Sequence, residues 1–215
     1  MNAAEQLIAA GRAVVEAGLS PGSSGNISVL DGDRLLITGT GASLGALTPQ
    51  ALTETALDGT HLGGARPSKE TPLHLGLYAR DERHRAVVHV HSPQAVALSC
   101  LAPWREHSAI PPLTPYFVMR VGQTPLLPYR HPGDPALGAD IRDARWPLRA
   151  ALLANHGAVV AGASLEEAVE RAAELEEACR IALLTAGRPR NELDPAQVRE
   201  LAERWDSPWT PPTID

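Results

Sequence analysis

The segment "AVVHVHSP" at residues 86–93 constrains this chain more than any other. Successive side chains of a strand point to opposite faces, so His89 and His91 project from one face with Cα atoms roughly 6.5–7 Å apart. The apolar run in front of them predicts a strand that emerges from a core. Two imidazoles at a strand end suit either a metal site or two unrelated surface residues, and other parts of the chain must decide between these.

A third histidine, His156, stands in "LLANHGAVVAG", where two apolar segments around a bend predict a strand, a turn and a second strand. By itself a histidine beside a glycine in a turn is ordinary. Together with His89 and His91 it would complete a tridentate site with open positions, which is typical of a catalytic Zn²⁺. Mn²⁺ and Co²⁺ suit the same ligands, so the pattern leaves the metal open.

Glu70, in the motif "PSKE", is the candidate acid–base residue. It stands where a loop enters a predicted helix, and a helix N-terminus favours a carboxylate, so a simple first-turn glutamate is the alternative. Its neighbour Lys69 is the only lysine of the chain, which admits a Schiff-base role. A lysine in a polar loop is more often a surface charge or an anion contact.

Two loops of small residues have the composition of anion sites. They are "SSGNIS" at residues 23–28 and "TGTGAS" at residues 38–43. Their glycines free backbone N–H groups, and their Ser, Thr and Asn side chains add donors. Each loop alone is a weak signal, but together with Ser68 and Lys69 they predict a phosphate site with one fixed positive charge.

Composition excludes several classes of protein. A formal net charge of −6 and an isoelectric point near 5.7 argue against nucleic-acid binding, which needs a basic surface. No apolar run approaches the roughly 20 residues of a membrane span, and the first residues do not resemble a signal peptide. Two lone cysteines, Cys100 and Cys179, fit a reducing cytoplasm. No Walker or G-x-G-x-x-G motif supports a nucleotide-binding fold.

Local patterns predict helices separated by hairpins and mixed strands, which favours an α/β sandwich over a doubly wound sheet. The predicted helices are an amphipathic one at residues 3–19, one after Ser92-Pro93, one in "DPALGADIRDA", and one from the Ser164-x-x-Glu167 capping box to about Thr185. A hairpin is predicted around Asp31-Gly32-Asp33, and short strands at residues 116–119 and 124–127. We expect one domain over residues 1–205 and a Pro-rich tail over residues 206–215.

Five motifs, "GNIS", "LLITGTG", "PSKE", "VVHVHS" and "LLANHG", stand in the order and near the spacings of the class II aldolase/adducin family. The chain resembles that family from about residue 3 to residue 188. The resemblance implies a three-layer α/β/α sandwich around a mainly antiparallel sheet, assembled as a homotetramer with active sites at subunit interfaces. It also implies one Zn²⁺ per subunit bound by His89, His91 and His156, with Glu70 beside the metal as acid–base residue. The phosphate pocket would be lined by Gly25, Asn26, Thr40, Gly41, Ser68 and Lys69.

Within the family, segments such as "PSKETPLHLGLY" and "YRHPGDPAL" are most similar to enzymes that decarboxylate 3-oxo-tetronate 4-phosphates. This implies release of CO₂ and dihydroxyacetone phosphate through a metal-stabilised enediolate. From chemistry and position alone, we add the hypothesis that Tyr116 or Arg120 meets the departing carboxylate near a subunit boundary. A sugar-phosphate aldolase of the L-fuculose-phosphate type, or an epimerase, is the alternative. Those aldolases usually carry serine at position 69 and use a C-terminal tyrosine, whereas this chain has none after Tyr129. A non-enzymatic adducin-like module is a third possibility.

Overall fold

The structure, a computed structural model, describes residues 1–20 and 24–210. Its strands are β1 Asn26–Asp31, β2 Arg34–Thr38, β3 Leu52–Ala56, β4 His61–Gly64, β5 Ala86–Val90, β6 Leu126–Leu127, β7 Ala150–Leu153 and β8 Gly157–Gly162. Its α-helices are α1 Ala3–Glu16, α2 Thr71–Tyr78, α3 Pro93–Ser99, α4 Ala136–Arg142, α5 Leu165–Thr185 and α6 Pro195–Arg204. Among the described residues, no helix combines the length and the apolar character needed to span a bilayer.

The strands form one eight-stranded sheet in the order β4-β3-β2-β1-β5-β8-β7-β6. Every neighbouring pair is antiparallel except β6 and β7, which are parallel. The hairpin predicted at the Asp-Gly turn is present, with Asp31 paired to Arg34. The expectation of a mainly antiparallel sheet is therefore confirmed.

Alternating side chains of the central strands supply two separate cores, because successive residues of a strand face opposite sides. Val88 and Val90 of β5 pack in the core that α1, α3 and α5 cover. Val87 precedes Val88 and points to the opposite face, where it packs in a second core with Leu73 and Leu77 of α2 and with side chains of α4. Helices thus cover both faces of the sheet, which confirms the three-layer α/β/α sandwich.

The start of α5 follows the predicted capping pattern in part. The Ser164 side chain accepts a hydrogen bond from the backbone N–H of Glu167 at 3.1 Å, as the motif requires. The Glu167 carboxylate, however, accepts from the backbone N–H of Ala163 instead of that of Ser164. The helix still begins and ends where the sequence indicates.

The segment at residues 116–119 is not a strand, and that prediction was wrong. A π-helical turn spans Phe117–Val121, with Phe117, Val118 and Val121 buried. Their spacing places them on one face of a helical turn against α5, which a short apolar run does not distinguish from a strand. The second predicted strand is present but short, as β6, and the sequence interpretation did not include β3, β4 or α6.

The described part of the C-terminal segment lies against the domain. The backbone N–H of Gln123 donates to the carbonyl of Pro208 at 2.8 Å. The ring of Trp209 meets that of Phe117 edge-on at 5.9 Å between centroids. The division into a domain and a tail stays a prediction, and residues 211–215 of the tail lie outside the described residues.

Candidate active site

Two neighbouring central strands bring the three histidines together. His89 lies on β5, His91 follows its last residue, and His156 directly precedes β8. Because β5 and β8 are antiparallel and pair Val90 with Ala158, the end of one strand meets the start of the other. The three imidazole centroids lie 4.8, 4.9 and 5.0 Å apart.

The chain between β7 and β8 turns sharply to present His156. Asn155 has a φ of 57°, in the left-handed region that asparagine tolerates better than most residues. Gly157, on the other side of His156, lies so close to β5 that an added Cβ would stand 2.6 Å from the carbonyl oxygen of Val90. The bend predicted at this motif is therefore a tight contact between the two strands.

The Nε2 atoms of the three histidines face one another. His89 donates from Nδ1 to the carbonyl of Ala158 at 2.9 Å, so its Nε2 carries a lone pair when the ring is neutral. That Nε2 lies 3.0 Å from Nε2 of His91, which lies 3.1 Å from Nε2 of His156. Glu70 closes the group, with Oε2 3.4 Å from His89 and Oε1 3.3 Å from His156.

This donor set fits a divalent cation. The four ligand atoms lie within 4.8 Å of one another, and three of them are imidazole nitrogens. Burial lowers the pKa of His91 to about 4, with the charges of His89 and His156 acting in the same direction, so its ring is neutral at pH 7. Neutral imidazole is the form that binds a metal. Converging lone pairs beside a buried carboxylate would repel one another unless a cation lay between them.

Glu70 is held as a carboxylate at the start of α2. Its side chain is 12% exposed, and Oε2 accepts a hydrogen bond from Nδ2 of Asn26 at 2.7 Å. Burial alone would raise the pKa of this carboxyl, but the close imidazoles of His156 and His89 and the hydrogen bond from Asn26 outweigh it and hold the pKa well below its usual range. The group is therefore ionised at neutral pH and available to accept a proton.

Several of the residues predicted to line the phosphate pocket lie around Glu70. Gly25 has a φ of +90°, and an added Cβ would stand 2.6 Å from the carbonyl oxygen of His89. Ser68 accepts from the backbone N–H of Glu70 at 3.2 Å. Lys69 is exposed, and its side-chain stem packs on Gly133.

The second predicted anion loop is fastened to the segment that precedes Glu70. The backbone N–H of Thr40 donates to the carbonyl of Arg66 at 2.9 Å, and its hydroxyl donates to that of Pro67 at 2.7 Å. Gly41 follows with a φ of +76° and open space around its Cα. Phosphate binding by these residues stays a prediction, and Ser23 of the first loop lies outside the described residues.

Tyr116 and Arg120 lie together on the other side of the sheet. The Arg120 guanidinium stands over the Tyr116 ring at 5.3 Å, and Arg171 of α5 donates to the Arg120 carbonyl at 2.9 Å. Within one chain their contacts are to the α5 layer, whereas Glu70 belongs to the α2 layer. A role at the substrate therefore requires a second subunit and stays a prediction.

Comparison with known proteins identifies the family to which this architecture belongs. The family model of the class II aldolase and adducin N-terminal domain matches residues 5–183. The chain belongs to the class II aldolase and adducin family. The family expected from the five motifs is confirmed, and with it an enzyme class of carbon–carbon lyases.

Relatives of this class II aldolase-family chain extend over most of its length. The 3-oxo-tetronate 4-phosphate decarboxylase of Escherichia coli K12 is 45% identical over 86% of this chain and 87% of its own. The enzyme of the same name from Haemophilus influenzae is 40% identical over 93% and 96%. The crystal structure of YgbL from Klebsiella pneumoniae, 40% identical, superposes with a TM-score of 0.88 over 93% of this chain and 97% of that one.

Sequence reasoning missed His74 and Tyr78, which are linked to Asn26 and Ser28 beside Glu70. His74 and Tyr78 follow Glu70 at intervals of four, so all three lie on one face of α2. Asn26 and Ser28 share a face of β1 by the same logic. The two periodicities were visible in the sequence, but only the packing of α2 on β1 shows that the two faces meet.

Proposed function

We propose that this protein is a zinc-dependent decarboxylase that converts a 3-oxo-tetronate 4-phosphate to dihydroxyacetone phosphate and CO₂. The observation that carries the proposal is the convergence of Glu70 with three imidazoles, in a chain 40–45% identical to decarboxylases named for this substrate. The ionised carboxylate of Glu70 and the neutral ring of His91 are protonation states that suit such a reaction.

His89, His91 and His156 would hold the ion, with Glu70 beside it. Three imidazoles with open positions favour Zn²⁺, one per subunit. A bound divalent ion supplies a Lewis acid that takes up negative charge on the ketone oxygen of the substrate, a contribution of several kcal/mol. The burial of His89 and His156 supports this role, because charge interactions are stronger away from water.

Glu70 moves the proton. When the bond between C1 and C2 breaks, CO₂ leaves. The electron pair of that bond stays on C2 and is shared with the C3 carbonyl oxygen. The Glu70 carboxylate takes the proton of the C2 hydroxyl and returns it to the C2 carbon, and the C2 oxygen regains a proton from water. The ionised state of Glu70 fits this sequence, because the residue begins as a base. Such proton transfer is worth about 10²–10⁴-fold in rate.

The remaining groups would bind the ends of the substrate. Backbone N–H groups at Gly25 and Gly41, with Ser68 and Lys69, would hold the phosphate. Thr40 would line the same pocket and fix its loop, because its own donors are bonded to Arg66 and Pro67. The Asn26 amide has one N–H left for the same pocket, since its other groups are bonded to Glu70 and His74. Tyr116 and Arg120 of a neighbouring subunit would meet the carboxylate that departs, in a cytoplasmic homotetramer.

The test is an assay of zinc-loaded protein with a 3-oxo-tetronate 4-phosphate, coupled to detection of dihydroxyacetone phosphate and CO₂. Glu70→Gln should lower kcat about 10²–10⁴-fold. Zinc content measured on the same sample separates lost proton transfer from lost metal. Release of an aldehyde without CO₂ from a ketose phosphate would replace the proposal with the aldolase alternative.

A further inference from the structure

A continuous row of hydrogen bonds runs from Glu70 into the protein between α2 and β1. Asn26 donates from Nδ2 to Glu70 at 2.7 Å, and its Oδ1 accepts from Nε2 of His74. Nδ1 of His74 lies 2.7 Å from the Ser28 hydroxyl, which lies 2.7 Å from the Tyr78 hydroxyl. His74 and Ser28 are both 0% exposed, and Asn26 is 6% exposed.

The direction of every bond in this row follows from Glu70. A carboxylate only accepts, so the amide of Asn26 must present Nδ2 to it and Oδ1 to His74. His74 must then carry a proton on Nε2 and, because its buried ring is neutral, accept on Nδ1. The Ser28 hydroxyl therefore donates to His74 and accepts from Tyr78.

We propose that His74 is a positioning residue for the Glu70 carboxylate and acts through Asn26. Its Nε2–H fixes the amide of Asn26 in the one orientation that turns an N–H group towards Glu70. Without that donor, the buried Oδ1 of Asn26 would lack a partner, and rotation of the amide would set an oxygen against the carboxylate. The inference rests on the proposed function, because it takes Glu70 to be the residue that transfers the proton and His74 to be one that helps to orient it.

Two substitutions of His74 separate this role from ordinary packing. The amide nitrogen of glutamine reaches about as far as Nε2 of histidine, so His74→Gln keeps a donor for Asn26. The shorter asparagine reaches only the position of Nδ1, so His74→Asn keeps a partner for Ser28 and removes the donor. Both substitutions delete the imidazole ring from the same buried space.

The activity assay is exchange of a hydroxymethyl proton of dihydroxyacetone phosphate with D₂O, followed by NMR on zinc-loaded protein. Exchange passes through the enediolate common to decarboxylation and aldol cleavage, so it does not depend on which of the two is correct. We expect His74→Asn to lower kcat for exchange about 10–100-fold, the range for residues that orient a metal-site group, with little change in KM. His74→Gln should stay within about fivefold of wild type, the equivalent of one ordinary hydrogen bond.

Equal rates in both variants, whether near wild type or reduced together in proportion to a lower Tm, would overturn the inference. Absence of exchange in wild type would instead overturn the proposed function. If wild type shows no exchange, a second measurement still tests the positioning role of His74. The side-chain NH₂ signal of Asn26, assigned by its loss in Asn26→Asp, should exchange with solvent faster in His74→Asn than in His74→Gln. Equal exchange of that signal would refute the positioning role without reference to catalysis.

Discussion

Replacing His74 by glutamine is expected to reduce the sensitivity of the fold to acid. Burial of this imidazole, with the charge of His89 acting in the same direction, lowers its pKa from 6.5 to about 3. Between those two pH values the unfolded chain binds a proton at His74 that the folded protein does not. The free energy of unfolding therefore falls as the pH drops below 6.5, and the contribution of this residue is exhausted near pH 3.

The structure sets the size of the effect. At pH 4 the difference spans about 2.5 pH units at about 1.4 kcal/mol each, or roughly 3 kcal/mol. Since the total stability of a domain is about 5–15 kcal/mol, this loss is large enough to measure. The figure is an upper value, because any proton taken up with local rearrangement of Ser28 or Asn26 reduces it.

Urea unfolding at pH 7 and pH 4, followed by far-ultraviolet circular dichroism, measures the change directly. Both proteins are treated with EDTA and compared at one concentration, so that metal release and subunit dissociation enter both curves alike. The free energy of unfolding of wild type should fall between the two pH values by roughly 3 kcal/mol more than that of His74→Gln. An equal fall in both proteins would refute the assignment of a neutral, acid-sensitive His74.

Three further predictions concern other contacts. Gly25→Ala should lower the free energy of unfolding by roughly 2–5 kcal/mol, because the new Cβ meets the carbonyl of His89. The same variant should bind zinc more weakly in a chelator competition. The control, Gly32→Ala, also has a positive φ but lies in open space and should cost only about 1–2 kcal/mol. Glu176 accepts three hydrogen bonds at the start of α3, from the Ser92 hydroxyl and two backbone N–H groups, so Glu176→Gln should lower Tm by several degrees through the loss of about 1–2 kcal/mol. Arg120→Ala should raise KM for the 3-oxo acid about tenfold, and unchanged kinetics would remove this residue from the site.

The convergence of the three histidines could be predicted because strand geometry carries the information. Alternation places His89 and His91 on one face, and the Asn-His-Gly bend predicts where His156 stands. The remaining requirement was that β5 and β8 be neighbours in the sheet. Their antiparallel pairing brings His156 to the end of β5 where His89 and His91 lie. Glu70 was visible for a related reason, since its motif marks the entry to a helix.

The rest depends on contacts between distant segments. The π-helical turn at Phe117–Val121 forms because its apolar side chains pack against α5, and a four-residue apolar pattern does not contain that information. His74 showed no distinguishing neighbours in the sequence, and its partners Asn26 and Ser28 are 48 and 46 residues away. The charge state of Glu70 could not be predicted from the sequence either, because it depends on the residues that surround the carboxylate in the folded protein.

The four groups of the cluster belong to two different layers. The three imidazoles are carried by the paired backbone of β5 and β8 in the middle of the sheet, whereas Glu70 arrives from the first turn of a covering helix. A small slide of α2 over the sheet would therefore change the distance from the carboxylate to the reacting carbon and leave the spacing of the imidazoles untouched. In the function proposed above, Lewis acidity and proton transfer would therefore be mechanically separable, and a relative could alter the second by reshaping one helix interface while it keeps the first intact.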